Sequence, residues 1–178
     1  MPILCSYRKP TLQQRDFDNY NVYTTNHTSG SGHGGSAVII KKCIQIVKLQ
    51  SFQQECMQAT NIQIKDSNGP ISSIYCPPKH NISFEQYCDF MKSLGNRFII
   101  DGDFNAKHVQ CGSRLTNIKG KKLLSAIIKN KCVYFSTREP TYWPSDLSKN
   151  PDLIDFCIAK NIKLDQVSST SEQDVLRY

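Results

Sequence analysis

Gly102-Asp103-Phe104-Asn105 sets a carboxylate and a carboxamide two residues apart, directly after the apolar run Arg97-Phe98-Ile99-Ile100. A strand that ends on glycine can project both side chains from a tight loop. There an aspartate can accept a proton from water, and an asparagine can hold a phosphate oxygen or orient the aspartate. The same tetrapeptide also suits an Asx-turn that closes a strand, because Asp and Asn side chains bond readily to backbone two residues on. Two further residues could join such chemistry: Tyr75 in Ile74-Tyr75-Cys76-Pro77-Pro78, and Asp155 in Pro151-Asp152-Leu153-Ile154-Asp155-Phe156. Tyr75 reads equally as an amphipathic strand aromatic and Asp155 as a strand-edge polar residue. Alternation over Leu153–Ala159 puts Ile154, Phe156 and Ile158 on one face and Asp155 on the other, with Leu153 and Cys157. An acid on a half-buried face needs a partner.

The charge is concentrated beside this acidic segment. Of the net +7, residues 1–103 contribute +2, residues 104–138 contribute +8 and residues 139–178 contribute −3. The middle segment holds Lys107, Arg114, Lys119, Lys121, Lys122, Lys129, Lys131 and Arg138 and no acid. Positive charge next to a carboxylate site is what an enzyme acting on a polyanion needs, because each neutralised phosphate releases counterions. A solvated lysine-rich helix face would look the same. His108 could touch a DNA backbone or be an ordinary loop histidine. His27, His33 and His80 show no ligating spacing, and Tyr142 and Trp143 read as packing residues rather than a base-stacking platform.

The elements that must position these residues can be read from periodicity. Ser36–Ile40 reads as a buried strand and Ile44–Leu49 as a half-buried one. Strands at Thr60–Lys65 and Ile71–Tyr75 flank Asp66-Ser67-Asn68-Gly69-Pro70, whose Asn-Gly signals a hairpin turn. Ser83 and Gln86 make a capping-box pattern, with Phe84, Tyr87, Cys88, Met91 and Leu94 on one helical face and Gly95 as the stop. Arg97–Ile100 is a short strand leading into the Asp103 loop. A second helix spans Lys119–Asn130, with Leu123, Leu124, Ile127 and Ile128 inward and its lysines outward. Strands at Cys132–Phe135 and Leu153–Ala159 complete the pattern. The expected fold class is α/β, two packed, mainly antiparallel β-sheets flanked by helices, formed by one domain over residues 1–178.

Composition excludes several classes. Hydrophobic residues are 39% of the chain, and no apolar run approaches the roughly 18 residues of a membrane span. The eight cysteines lie at least 12 positions apart, with no C-x-x-C, so neither a zinc site nor a disulfide scaffold is expected. The N-terminus lacks the order of a secretory leader. The sequence thus reads as intracellular, and a nuclear setting fits its basic character.

The ordered series of motifs goes further. It runs from His33-Gly34-Gly35 through Ile74-Tyr75-Cys76-Pro77-Pro78 and Gly95-Asn96-Arg97-Phe98 to Gly102-Asp103-Phe104-Asn105-Ala106-Lys107-His108. Gly112-Ser113-Arg114, Glu139-Pro140-Thr141-Tyr142-Trp143-Pro144 and Pro151-Asp152-Leu153-Ile154-Asp155-Phe156 follow. Over residues 17–162 this resembles the endonuclease domain of jockey-like non-LTR retrotransposons, within the endonuclease/exonuclease/phosphatase superfamily. The resemblance implies an α/β/β/α sandwich with its active site at one rim. It also implies phosphodiester hydrolysis with Mg²⁺ or Mn²⁺, DNA as the partner, and no membrane or small-molecule cofactor.

In that family Asp103 would match the aspartate that activates water, Asn105 its phosphate-binding partner, Tyr75 the tyrosine at the scissile phosphate, and Asp155 the acid that orients a catalytic histidine. Lys107, His108, Arg114, Lys119, Lys121 and Lys122 are the candidate DNA contacts. The metal ligands stay open, with Asp103 as a candidate: residues 1–15 hold no acid where the family carries its principal glutamate, and the catalytic histidine of the family's closing Ser-Asp-His has no counterpart after His108. Cys111 stands where the branch usually has tryptophan. By this comparison the domain is expected to be incomplete at both ends and catalytically weak. Two other readings stay open: a non-catalytic nucleic-acid-binding remnant, and a phosphatase or phosphodiesterase acting on small esters.

Overall fold

The computed structural model describes residues 3–7, 17–29, 34–65, 67, 69–146 and 148–162. Strands β1 (Ile3–Tyr7), β2 (Tyr20–Asn26) and β3 (Gly35–Lys41) form a small antiparallel sheet in the order β1-β3-β2. Strands β4 (Ile46–Lys48), β5 (Phe52–Gln54), β6 (Met57–Ile64), β7 (Ile71–Tyr75), β8 (Phe98–Asp103), β9 (Val133–Phe135) and β10 (Asp155–Lys160) form the large one. Its order is β4-β6-β7-β8-β10-β9, with β5 also paired to β6. All neighbours are antiparallel except β7 and β8. Parallel pairing needs a crossover, and helix α1 (Phe84–Ser93) lies in it. The α/β class with two packed sheets and flanking helices is the architecture expected from the sequence.

Alternation within the strands sorts side chains to two faces. On the outer face of the large sheet, Ile74, Phe98, Ile100, Phe156 and Ile158 pack with Tyr87, Phe90 and Met91 of α1 and with Leu123, Ala126 and Ile127 of α2 (Ile118–Lys129). The inner face meets the small sheet, where Val38 and Ile40 pack on Ile62. Nearby the space is filled by polar groups: the hydroxyls of Ser36, Thr60 and Thr25 are linked in a chain at 2.9 Å per step. Buried hydroxyls are tolerable because each finds a partner.

Ser83 caps α1 as its sequence signature requires. Its Oγ accepts the Gln86 N–H at 3.1 Å, and Gln86 Oε1 accepts the Ser83 N–H at 2.9 Å. Gly95 follows the C-cap residue Leu94 with φ +88°. Phe90, not expected on the inward face, is fully buried there.

Several expectations need correction. The strand expected over Ile44–Leu49 is regular only at Ile46–Lys48, with flanking bonds from Lys65 N–H to the Gln45 carbonyl and from Leu49 N–H to the Asn61 carbonyl, and β1, β2 and β5 were not foreseen. The strand expected to stop at Ile100 continues to Asp103, so this acid ends a strand instead of lying in a loop. Ile128 points outward, 67% exposed, whereas Lys119 is buried. Pairing in β10 starts at Asp155, so the alternation does not reach back to Leu153, which joins the helix-side core with Phe156. Trp143 is 53% exposed and is no core residue. His33, Asp66 and Asn68 lie outside the described residues; Gly69 has φ +129°, as a tight turn before β7 requires.

Candidate active site

Register, more than any single motif, assembles the site. Tyr75 pairs with Asp103 between β7 and β8, and Asp103 pairs with Asp155 between β8 and β10. Paired residues share a face, so the three side chains leave the sheet side by side toward the small sheet. Directly opposed residues stand about 5 Å apart at Cβ. Gln58 of β6 pairs with Tyr75 and extends the row to four strands. One step further in lies a second row, Thr60, Ser73, Asp101 and Cys157. Neither Gln58 nor Asp101 was singled out from sequence; Asp101 follows from alternation with Asp103, but only the register shows that Gln58 flanks the acids.

Gly102 makes the approach of β7 and β8 feasible. It has φ +139°, and a Cβ there would stand 2.2 Å from the Ile74 carbonyl oxygen. Beyond it Asp103 is buried, and its Oδ1 accepts the Asn105 N–H at 2.8 Å. The Asx-turn weighed as a plain structural role is therefore present. It also fixes the carboxylate and turns the chain, with Asn105 at φ +46°, so that Asn105 Nδ2 donates to the Cys76 carbonyl at 3.1 Å. The Cys76 N–H in turn donates to the Asp103 carbonyl at 2.8 Å. Phe104 points away and stacks on Phe156, ring centroids 4.6 Å apart. Asp155 is anchored by Thr141, whose Oγ1 accepts the N–H groups of Ile154 and Asp155 at 3.1 and 3.0 Å. Thr141 of the Glu139–Pro144 motif thus fixes the start of β10.

The first turn of α2 is fastened to the same loop. Asn117 caps the helix through Oδ1, which accepts the N–H of Gly120 at 2.7 Å and of Lys107 at 3.1 Å, and its Nδ2 donates to the Asn105 carbonyl at 3.4 Å. Gly120 lies so close that a Cβ would stand 1.8 Å from the Lys107 carbonyl oxygen.

The candidate DNA contacts divide. Lys121 and Arg114 are exposed and Lys122 is half-buried; Arg114 Nε donates to the Pro151 carbonyl at 3.2 Å. Lys107 Nζ lies 2.9 Å from Oδ2 of buried Asp152. His108 caps a short 3-10 turn, its Nδ1 accepting the Gln110 N–H at 3.2 Å. Lys119 departs most from expectation: its buried ammonium donates to the Pro77 carbonyl at 2.7 Å. Away from this group, His27 and His80 bring their ring centroids to 6.1 Å, a proximity that their 53-position separation in sequence concealed.

Burial and neighbouring charge shift the acids and bases. Burial, reinforced by the Asp155 carboxylate, raises Asp101 to about 6. Burial lifts the thiol of Cys157 to about 12 and that of Cys76 far above its usual range, so both are inert thiols. Burial would raise Asp152 too, but the Arg114 N–H, the Lys107 ammonium and the Leu153 N–H outweigh it and hold Asp152 below the usual carboxylate value. Burial pulls Lys119 down, opposed by the carboxylate of Asp103.

The row thus presents acceptor oxygens, a phenol and carboxamides at one rim. Among the described residues no group of three or more His, Cys, Asp or Glu side chains is gathered closely enough to hold a metal ion. A cavity of about 430 Å³ lined by Leu49, Phe52, Asn61, Gln63 and Leu94 lies toward the other ends of β6 and β7 and lacks titratable groups. No helix among the described residues is long and apolar enough to cross a membrane.

Comparison with known proteins agrees with this architecture. A family model described as endonuclease-reverse transcriptase matches residues 70–176. The RNA-directed DNA polymerase from mobile element jockey of Drosophila melanogaster is 31% identical over 141 residues, which cover 78% of this chain and 15% of that protein. The probable RNA-directed DNA polymerase from transposon X-element of the same species is 29% identical over 144 residues, 79% of this chain and 16% of that one. The chain therefore spans about one-sixth of the length of these curated relatives. The endonuclease domain of TRAS1, a telomere-specific non-LTR retrotransposon, superposes with a TM-score of 0.69 at 17% identity, covering 89% of this chain and 73% of that domain. The AP endonuclease LMAP from Leishmania major does so with a TM-score of 0.54 at 11% identity, covering 81% of this chain and 62% of that enzyme. Sequence and fold converge: the chain belongs to the endonuclease/exonuclease/phosphatase superfamily, among the endonuclease domains of jockey-like non-LTR retrotransposons.

Proposed function

We propose that the rim formed by Tyr75, Asp103, Asn105 and Asp155 is the phosphodiester-binding site of a target-DNA endonuclease domain. The observation that carries this reading is the register that aligns Tyr75, Asp103 and Asp155 on one face at adjoining strand ends. In this reading Asp103 accepts a proton from water, and the Asn105 carboxamide and the Tyr75 phenol donate to phosphate oxygens. Asp155 is suited to orient an imidazole, as the acid of a hydrolytic triad does. The cationic flank consists of Arg114, Lys121 and Lys122, with Lys129, Lys131 and Arg138 further along. The nicking and reverse transcription of whole elements belong to proteins several times longer than this chain.

We further propose that these 178 residues alone bind DNA but cut it poorly. The family chemistry uses Mg²⁺ or Mn²⁺, and the described residues gather no three-donor group for either ion. No histidine follows His108 to pair with Asp155. Charge developing on the phosphate then has little to oppose it. The test is conversion of supercoiled plasmid to nicked circles with Mg²⁺ or Mn²⁺, beside binding of a short duplex. Binding that weakens in Asn105→Ala, with no nicking above background, is the expected result. Nicking that survives purification and disappears in Asp103→Ala would refute the inactivity, and binding indifferent to the rim residues would refute the site.

A further inference from the structure

Lys119 has an unusual placement for a residue in a lysine-rich stretch. The ammonium groups of its neighbours reach solvent, but Lys119 is 6% exposed and its Nζ donates to the Pro77 carbonyl at 2.7 Å. A buried ammonium is costly unless hydrogen-bonded and compensated by charge. The compensation available is Asp103, whose buried carboxylate interacts favourably with it. Pro77 follows the Cys76 carbonyl that receives Asn105 Nδ2, and the Cys76 N–H donates to the Asp103 carbonyl. Lys119 therefore stands behind both segments that carry the rim, the one ending in Tyr75 and the one carrying Asp103 and Asn105. Its neighbour Asn117 bonds the same helical turn to Asn105 and Lys107, and Gly120 lets the turn approach Lys107 closely.

We propose that Lys119 is a positioning residue: without touching DNA, its buried ammonium holds the Tyr75–Pro77 and Asp103–Asn105 segments in the arrangement that receives a phosphate. The inference rests on the reading of this rim as a DNA phosphate site. It departs from the simple expectation that every lysine after Asn105 meets the DNA backbone directly. Lysines that meet phosphates and a lysine that props the site differ in a measurable way. Removing a direct contact reduces the steepness with which affinity falls with salt, by about one unit per phosphate. Removing a prop lowers affinity at every salt concentration and leaves that steepness alone.

The experiment is fluorescence anisotropy of a labelled duplex of about 20 base pairs, from about 50 to 200 mM salt, with the full chain. The variants are Lys119→Met, Lys119→Gln, Lys119→Arg, Asn105→Ala and the double variant Lys119→Met/Asn105→Ala, each checked by thermal melting. Lys119→Met is expected to bind about tenfold more weakly with unchanged salt steepness, as fits the loss of one charge-assisted hydrogen bond. Lys119→Arg should recover most of the affinity, and the double variant should be little worse than Asn105→Ala. If Lys119→Met fails to fold, Lys119→Gln, which keeps a donor without the charge, carries the same comparison. A reduced salt steepness, or losses that simply add in the double variant, would overturn the role of Lys119. Failure of the rim reading looks different: Asn105→Ala would then bind as tightly as the unaltered chain.

Discussion

Asp103 and Asp155 are direct partners across the antiparallel pair β8–β10, so two carboxylates leave the same face of the sheet at its rim. Like charges so placed repel, so each carboxylate depends on donors or cations close by. Asp101 lies two residues back on the same face of β8, opposite Cys157, and feels both burial and the Asp155 charge.

That arrangement makes stability depend on pH. Asp101 titrates near 6 in the folded chain against an ordinary 3.8. A carboxyl that holds its proton more tightly when folded costs stability once pH exceeds its unfolded value, so stability should fall as pH rises from about 4 to above 6. Asp101→Asn should remove this slope, matching the unaltered chain near pH 4 and exceeding it at about pH 7.5 by about 1–3 kcal/mol. Asp155→Asn should move the decline to lower pH. Urea midpoints measured across this range are the check.

Backbone proximity makes a graded prediction for three glycines. Alanine at Gly102 would combine φ +139° with a carbonyl oxygen 2.2 Å from its Cβ, and at Gly120 the Cβ would stand 1.8 Å from another. Each should cost about 3 kcal/mol or more, since backbone must move to admit the methyl group. Gly95→Ala meets nothing within 4 Å and carries only the positive φ, so about 1 kcal/mol is expected. Denaturant melts of the three variants should preserve this order.

Much of this was legible from residues and some of it could not be. The capping box of α1 and the β6–β7 hairpin follow from local chemistry, whereas the extension of β8 from Ile100 to Asp103 shows only in its pairing with β7 and β10. Strand β2 escaped because its inward positions include Thr25, satisfied by the Ala59 carbonyl and the Thr60 hydroxyl of β6, so no apolar alternation marks it. Lys119 and Ile128 are exchanged relative to a simple helical face because a carbonyl of another segment, Pro77, takes the lysine. Tyr75, Asp103, Asn105 and Asp155 could be named from motifs, and Asp101 follows from alternation with Asp103, but Gln58 enters only through register, which one sequence does not encode locally.

Asn117 should join fold and site in one variant. Asn117→Ala removes the cap of α2 and the bonds to Lys107 and Asn105, at about 1–2 kcal/mol of stability. Because the Asn105 loop loses its tether, DNA affinity should fall as well. Asn117→Asp, which keeps the accepting oxygen, should restore most of the stability but less of the affinity. Paired melting and binding measurements test this.

The cationic flank predicts which lysines set salt dependence. Lys121→Ala and Lys122→Ala should each reduce the steepness of log affinity against log salt by about 0.9 with little change in melting. Lys107→Ala should do the reverse, because its ammonium is paired with buried Asp152. Leaving that acid alone should lower stability by about 3 kcal/mol. Salt titrations beside melting curves of the three variants separate the two classes.

Amide and carbonyl chemical-shift mapping of the full chain, titrated with a short uncut DNA duplex, tests the central claim most directly. The largest saturable shifts are expected at Tyr75, Asp103, Asn105 and Asp155, with smaller salt-sensitive ones at Lys121 and Lys122. Shifts confined to the lysines of α2, or centred on the cavity beside Leu49 and Phe52, with the row of Tyr75, Asp103 and Asp155 unmoved, would contradict it.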